Sequence, residues 1–160
     1  MQFLKSLKLK DKGLIIVIFM ALIFIFVQKI FFNTNDTIDN RELTKIIVND
    51  TEIMVEISES ADKKYKGLSH RERLADNEGM LFLHKRTGSH EYVMRDMNFD
   101  LDFIFIRDGK VVDIMKNVPR DYKKVIKGAT TYSKVLEVPA GWSDKNKIEI
   151  GVEVGGIGSN

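Results

Sequence analysis

Leu101-Asp102-Phe103-Ile104-Phe105-Ile106-Arg107-Asp108-Gly109-Lys110-Val111-Val112-Asp113-Ile114-Met115 is the stretch on which the fold turns. Two runs of β-branched and aromatic residues flank Asp108-Gly109, a pair that suits a two-residue hairpin turn because both positions tolerate positive φ. Side chains alternate along a strand, so Leu101, Phe103 and Phe105 share one face, and Asp102, Ile104 and Ile106 share the other. Both faces are apolar, and the first strand is therefore expected to be central and buried.

Working outward, the remaining pattern is also mostly strand. Leu43 to Val48 and Glu52 to Ile57 flank Asn49-Asp50-Thr51 as a hairpin. Ser58 to Gly67 reads as a short helix that Ser58 or Ser60 caps and Gly67 ends. Gly79 to His84 is a strand, Lys85 to Ser89 a loop and His90 to Met94 a further strand. Val118 to Thr131 is a polar connection with a helical turn around Tyr122 to Ile126. Tyr132 to Val138 is a strand, Ser143 to Ile150 a short helix, Val152 to Val154 a last strand, and residues 155–160 a loose tail.

The N-terminal part has a different character. Lys5, Lys8, Lys10 and Lys12 precede fourteen residues, Leu14 to Val27, without a charge. Counted on to Phe32, the apolar segment would span roughly 28 Å as a helix, close to the hydrocarbon thickness of a bilayer. The basic flank keeps the N-terminus in the cytoplasm. No small residues follow the apolar core, so an uncleaved signal anchor is favoured over a cleaved signal peptide. The expected organisation is a cytoplasmic segment at 1–12, a transmembrane helix at 13–32, a linker at 33–42, an extracytoplasmic domain at 43–154 and the tail. The linker would reach about 17 to 19 Å on average. The fold class is α+β, mostly β: a compact antiparallel-rich sheet or partly closed barrel with one or two short helices, preceded by one transmembrane helix.

Composition narrows the function. The chain has 160 residues, 25 basic and 23 acidic, for a net charge of +2. No nucleic-acid partner is expected, because no strongly basic face is available. Cysteine is absent, which removes disulfides, thiolate metal sites and cysteine nucleophiles. There is no Gly-x-Ser-x-Gly elbow, no His-Glu-x-x-His and no phosphate-cradling glycine loop, so nucleotide use and zinc proteolysis find no support. No cofactor is expected.

Four blocks in order carry a resemblance. They are Gly67-Leu68-Ser69-x-Arg71 with Leu74 and Glu78-Gly79-Met80-Leu81-Phe82; Met94-Arg95-Asp96-Met97; Leu101-Asp102-x-Ile104-Phe105-Ile106 with Asp108-Gly109-Lys110-Val111; and Val135-Leu136-Glu137-Val138-Pro139-Ala140-Gly141. Over about residues 45 to 154 the chain resembles the family called domain of unknown function 192. The resemblance implies an exported or membrane-anchored single domain with a compact β-rich fold, and it brings no established activity. Two positions depart from the pattern: Val93 stands where the family usually has Trp, and Asp100 where it usually has Pro.

Candidate chemistry rests on few residues. Asp102 and Glu137 each interrupt an apolar strand, so each must be paired or hydrogen-bonded, or else titrate upward. In one cleft they would form the acid and nucleophile pair of an envelope glycan hydrolase. As structural groups, Asp102 would accept backbone N–H bonds and Glu137 would pair with Arg71, Arg73 or Arg95. His90 and Met94 are weak candidate ligands for a soft ion such as Cu(I), which makes a copper carrier a third reading. The favoured reading is a non-catalytic binding or accessory module at the cell envelope, held to the bilayer through residues 14–32. A glycan, a peptide or a membrane protein would be its partner. The expected binding strip is Gly79, Met80, Met94, Arg95, Asp96 and Met97, with Asp102 and Glu137 beside it.

Overall fold

The computed structural model describes residues 17–26 and 41–156. Residues 17–26 form a helix, α1, whose side chains are all exposed. Among the described residues no helix is long and apolar enough to cross a membrane. The remainder of the expected anchor, most of the linker and the tail from 157 onward lie outside the described residues. The chain divides into two units between Asn40 and Arg41.

The second unit is built from local turn chemistry. β1 (Leu43–Val48) and β2 (Thr51–Ser58) are joined through Asn49 and Asp50, at φ 47° and 61°. That is the left-handed pair a two-residue hairpin needs. α2 (Ala61–Lys66) is capped by Ser60, whose hydroxyl accepts the Lys63 N–H at 3.2 Å, and it ends at Gly67 with φ 51°. β3 (Glu78–Gly88) then runs parallel to β2. β4 (Leu101–Arg107) and β5 (Lys110–Val118) flank Asp108-Gly109 at φ 50° and 70°, as expected. β6 (Tyr132–Pro139), α3 (Trp142–Lys145) and β7 (Val154–Gly155) complete the chain.

The seven strands form one sheet in the order β5-β4-β6-β3-β2-β1-β7, and all neighbours except β2 and β3 are antiparallel. The sheet curls into a half-barrel. Its inner face collects apolar side chains from every strand, among them Ile46, Ile53, Leu81, Ile104, Val111, Leu136 and Val154, with Trp142 and Ile148 beside them. Residues 151–155 strap the two edges together. Val48 pairs with Val154 on one side, while on the other the Val111 N–H donates to the Val152 carbonyl at 2.9 Å and the Val154 N–H to the Gly109 carbonyl at 2.8 Å. The outer face of β3, β6 and β4 carries a second apolar cluster, covered by the loops between strands.

Several expectations are corrected. Lys85 to Gly88 continue β3 rather than forming a loop. His90 to Met94 is an extended loop and not a strand: only Tyr92 pairs, exchanging backbone hydrogen bonds of 2.9 Å with Ile126. That pairing makes Ile126 extended, so the helical turn placed at Tyr122 to Ile126 shrinks to one hydrogen bond between Tyr122 and Pro119. α3 is four residues long, not eight. The Asn146 side chain donates to the Trp142 carbonyl at 2.9 Å and Lys147 adopts φ 54°, which stops the helix.

Candidate functional site

Strand register places the site. Met80 of β3 lies opposite Glu137 of β6, and Glu137 lies opposite Phe103 of β4, so one cross-strand row on the outer face reads Met80, Glu137, Phe103. A pocket of about 260 Å³ opens above this row. Phe82, His84, Leu101, Phe103 and Glu137 form its floor; Tyr65, Leu68 and Ser69 form one wall, and Tyr92, Met94, Arg95 and Met97 the other. Polar ties hold the walls together. The Ser69 hydroxyl donates to the Arg95 carbonyl at 2.8 Å, and the His70 N–H to the Asp96 carbonyl at 2.8 Å. The Arg95 guanidinium donates to the Tyr65 carbonyl and lies 4.0 Å from the centre of the Tyr65 ring, a cation–π contact.

Glu137 is the unusual member. It is only 6% exposed, and among the described residues nothing hydrogen-bonds its carboxyl. Burial pushes its pKa up to about 8, against the opposing pull of the Arg71 charge. Arg71 is engaged elsewhere, its Nη2 standing 2.6 Å from Glu56 in an ion pair. Glu137 is therefore a neutral acid at neutral pH, with an O–H donor facing an apolar pocket.

A second polar group lies beside it. His84 Nε2 and the Tyr92 hydroxyl are 2.6 Å apart, and the His84 ring stacks on His90 with 3.5 Å between centroids. Burial, then the positive charges of His90 and Lys64, lower the His84 pKa to about 4. Tyr92 is pushed up from the usual phenol range by burial and by the nearby Glu137. At neutral pH the three hydrogen-bonding groups Glu137, His84 and Tyr92 are thus uncharged.

The structure separates the two acids of the hydrolase reading. Asp102 faces the inner side with Ile104 and Ile106, and Glu137 faces the outer side with Val135. Among the described residues the two acids share no cleft. Asp102 is fully buried and accepts three backbone N–H bonds, from Asn117 at 2.7 Å, Gly141 at 3.2 Å and Ser143 at 2.9 Å. It ties the end of β5 to the turn that opens α3. The expected Arg71–Glu137 pair is replaced by Arg71–Glu56.

The expected binding strip is divided. Met94, Arg95 and Met97 line the pocket. Met80 is buried beneath it in the same row, next to Glu137. Gly79 lies on the inner face, where an added Cβ would meet the Glu137 carbonyl at 2.9 Å, so its role is close backbone approach. Asp96 is exposed and stands 3.8 Å from His70 and 3.9 Å from Arg95 as a mate for the wall residues. His90 does not line the pocket with Met94; its ring lies on His84, with Nε2 3.1 Å from the Arg86 carbonyl. Among the described residues no group of three or more His, Asp or Glu could hold a metal ion. Sequence reasoning missed Tyr65 and Tyr92 and gave His84 no place in this pocket. An aromatic at Tyr92 and an imidazole at His84, both near the Met94 block, were the available signal.

The sequence profile of the family DUF192, described as uncharacterised, matches residues 44–156. The chain belongs to DUF192. Two solved structures share the DUF192 domain fold. A protein of unknown function from Novosphingobium aromaticivorans DSM 12444 is 26% identical, with a TM-score of 0.69 over 74% of this chain and 88% of that one. A protein from Sinorhizobium meliloti 1021, described as a candidate transcription regulator, is 25% identical, with a TM-score of 0.66 over 72% and 92%. No curated protein matches the chain.

Proposed function

We propose that the chain is a single-pass, membrane-anchored binding module whose outer domain holds a small, largely apolar ligand in the Glu137 pocket, without catalysis. One observation carries this: the Glu137 carboxyl, on a residue only 6% exposed and without a hydrogen bond from any described residue, faces a pocket whose interior is lined mainly by aromatic, leucine and methionine side chains, with charged groups from Lys64, Lys66, Glu91 and Arg95 around it. Such a group costs stability unless something else is selected there, and a ligand that accepts its hydrogen bond would recover the loss. Aromatic rings and methionines give an adaptable apolar surface, and a few polar groups set orientation. Separation of Asp102 from Glu137 leaves the hydrolase reading without its pair.

The anchor is supported by the lysine-flanked apolar run and by the exposed apolar side chains of α1. A reporter fused to the C-terminus and active only outside the cytoplasm tests that part; activity only on the cytoplasmic side would refute it. The description of one neighbour as a transcription regulator stays with that protein. Residues 13–160 of this chain hold nearly equal numbers of acids and bases, which gives no electrostatic footprint for DNA.

Pocket binding is tested by labelling the methionine methyl groups of the full chain in phosphatidylcholine nanodiscs. Benzyl alcohol and its ring analogues are titrated while the methyl NMR signals are followed. Shifts of Met94 and Met97, with Met54 of β2 unmoved, are expected. Silence of Met94 and Met97 towards every ring compound tried would overturn the reading.

A further inference from the structure

We infer that the ligand of this pocket carries a carboxylate on a small ring or short apolar body. The inference rests on the binding reading above and specifies the chemistry of its ligand. Charge at the mouth leans positive: Lys64, Lys66 and Arg95 line it against Glu91, with Asp96 outside the lining 3.9 Å from Arg95 Nε. Inside, Glu137 is protonated at neutral pH even against the pull of the Arg71 charge, which is paired to Glu56. An entering anion therefore meets a net positive mouth and no buried negative charge.

Hydrogen bonding points the same way. Protonated Glu137 offers one O–H donor, and among the described residues no acceptor takes it. The neighbouring Tyr92 hydroxyl is already tied to His84. A carboxylate is the strongest acceptor a small organic molecule can offer to a neutral acid, because an ionised partner shortens and strengthens the bond. Arg95 is held in place by the Tyr65 carbonyl and ring and keeps further guanidinium donors for a second carboxylate oxygen. A cationic ligand would have to pass three cations and strip the proton from Glu137. A neutral alcohol would gain nothing from the mouth. The volume of about 260 Å³ lies below the range typical of drug-sized ligands, which fits one ring rather than a polymer.

The experiment compares benzoate, benzyl alcohol and benzylamine, equal in ring and near in size, by the same methionine-methyl titration of the full chain in phosphatidylcholine nanodiscs. Benzoate is expected to bind at least about tenfold more tightly than either of the others, the size of one charge-assisted bond. The double variant Lys64→Gln, Lys66→Gln, on the exposed side of α2, and separately Arg95→Gln, should each weaken benzoate more than benzyl alcohol, so that the ratio between the two narrows. If benzyl alcohol or benzylamine binds as tightly as benzoate, the carboxylate inference is wrong and the binding reading survives. If none of the three moves Met94 or Met97, both fall.

Discussion

Replacing Glu137 by Gln turns the buried acid into a measurement. In the unfolded chain the carboxyl ionises near its ordinary 4.5, and in the folded chain it keeps its proton to about 8. Between those values folding takes up a proton, so stability falls as pH rises through that window. Below 4.5 both states are protonated and the term vanishes; above 8 the loss is complete. At about 1.36 kcal/mol per pH unit the full interval amounts to roughly 5 kcal/mol as an upper bound. Water entering the open pocket around an ionised carboxyl reduces this to about 2 to 4 kcal/mol. Gln has the shape of the protonated acid and does not titrate. Glu137→Gln should match the wild type near pH 4.5 and exceed it increasingly towards pH 8, by about 10 °C in melting temperature at about 4 °C per kcal/mol. Thermal melts of both chains from pH 4.5 to 9 give the difference, in which all other titrations cancel. A difference that stays constant over that range would mean that Glu137 ionises normally, and the argument for a neutral donor in the pocket would be lost.

Other substitutions test the surrounding structure. Asp102→Ala takes the buried acceptor from three backbone N–H donors, of Asn117, Gly141 and Ser143, the last of them buried; it should cost about 3 to 5 kcal/mol, read as a fall in melting temperature of more than about 10 °C at pH 7. A fall of only a degree or two would remove Asp102 from its structural role. Gly79→Ala drives a methyl group against the Glu137 carbonyl in mid-sheet, with an expected loss of about 1 to 3 kcal/mol in denaturant melts; an unchanged midpoint would contradict the close approach of β3 and β6. For His84, whose pKa is lowered from 6.5 to about 4, NMR titration should find the ring still neutral at pH 5.5. Its contribution to stability is complete above 6.5 and fades as pH falls towards 4. An ordinary titration near 6.5 would show that the His84–His90 stack admits solvent.

Much of the frame was legible because its signals are local. Asn49-Asp50 and Asp108-Gly109 declared their hairpins through residues that tolerate positive φ, and Ser60 with Gly67 bounded α2. Strand alternation already set Glu137 with Val135 and Asp102 with Ile104 on separate sides of their own strands. Whether those sides coincide depends on the register of β4 against β6, which pairs Phe103 and not Asp102 with Glu137. The partners of Asp102 from the α3 turn stand about forty residues away in the chain, at Gly141 and Ser143, and no local pattern could name them. The segment from His90 to Met94 misled because its alternation imitates a strand, whereas its backbone makes a strand-like pairing only at Tyr92. The pocket is made where that loop meets the end of α2, and its walls come from residues about thirty apart. The family resemblance located the blocks without assigning them to faces.

The strap formed by residues 151–155 has a consequence for synthesis. β1 is among the first parts of the domain to leave the ribosome, yet the segment that covers its edge and ties it to β5 is almost the last. Until residues 151–155 are released, a nascent sheet would carry two open edges, each a template for pairing with other chains. A stop codon shortly after α3 would therefore remove the strap and leave both edges of the half-barrel open, and such a truncated chain is expected to aggregate rather than merely melt at a lower temperature.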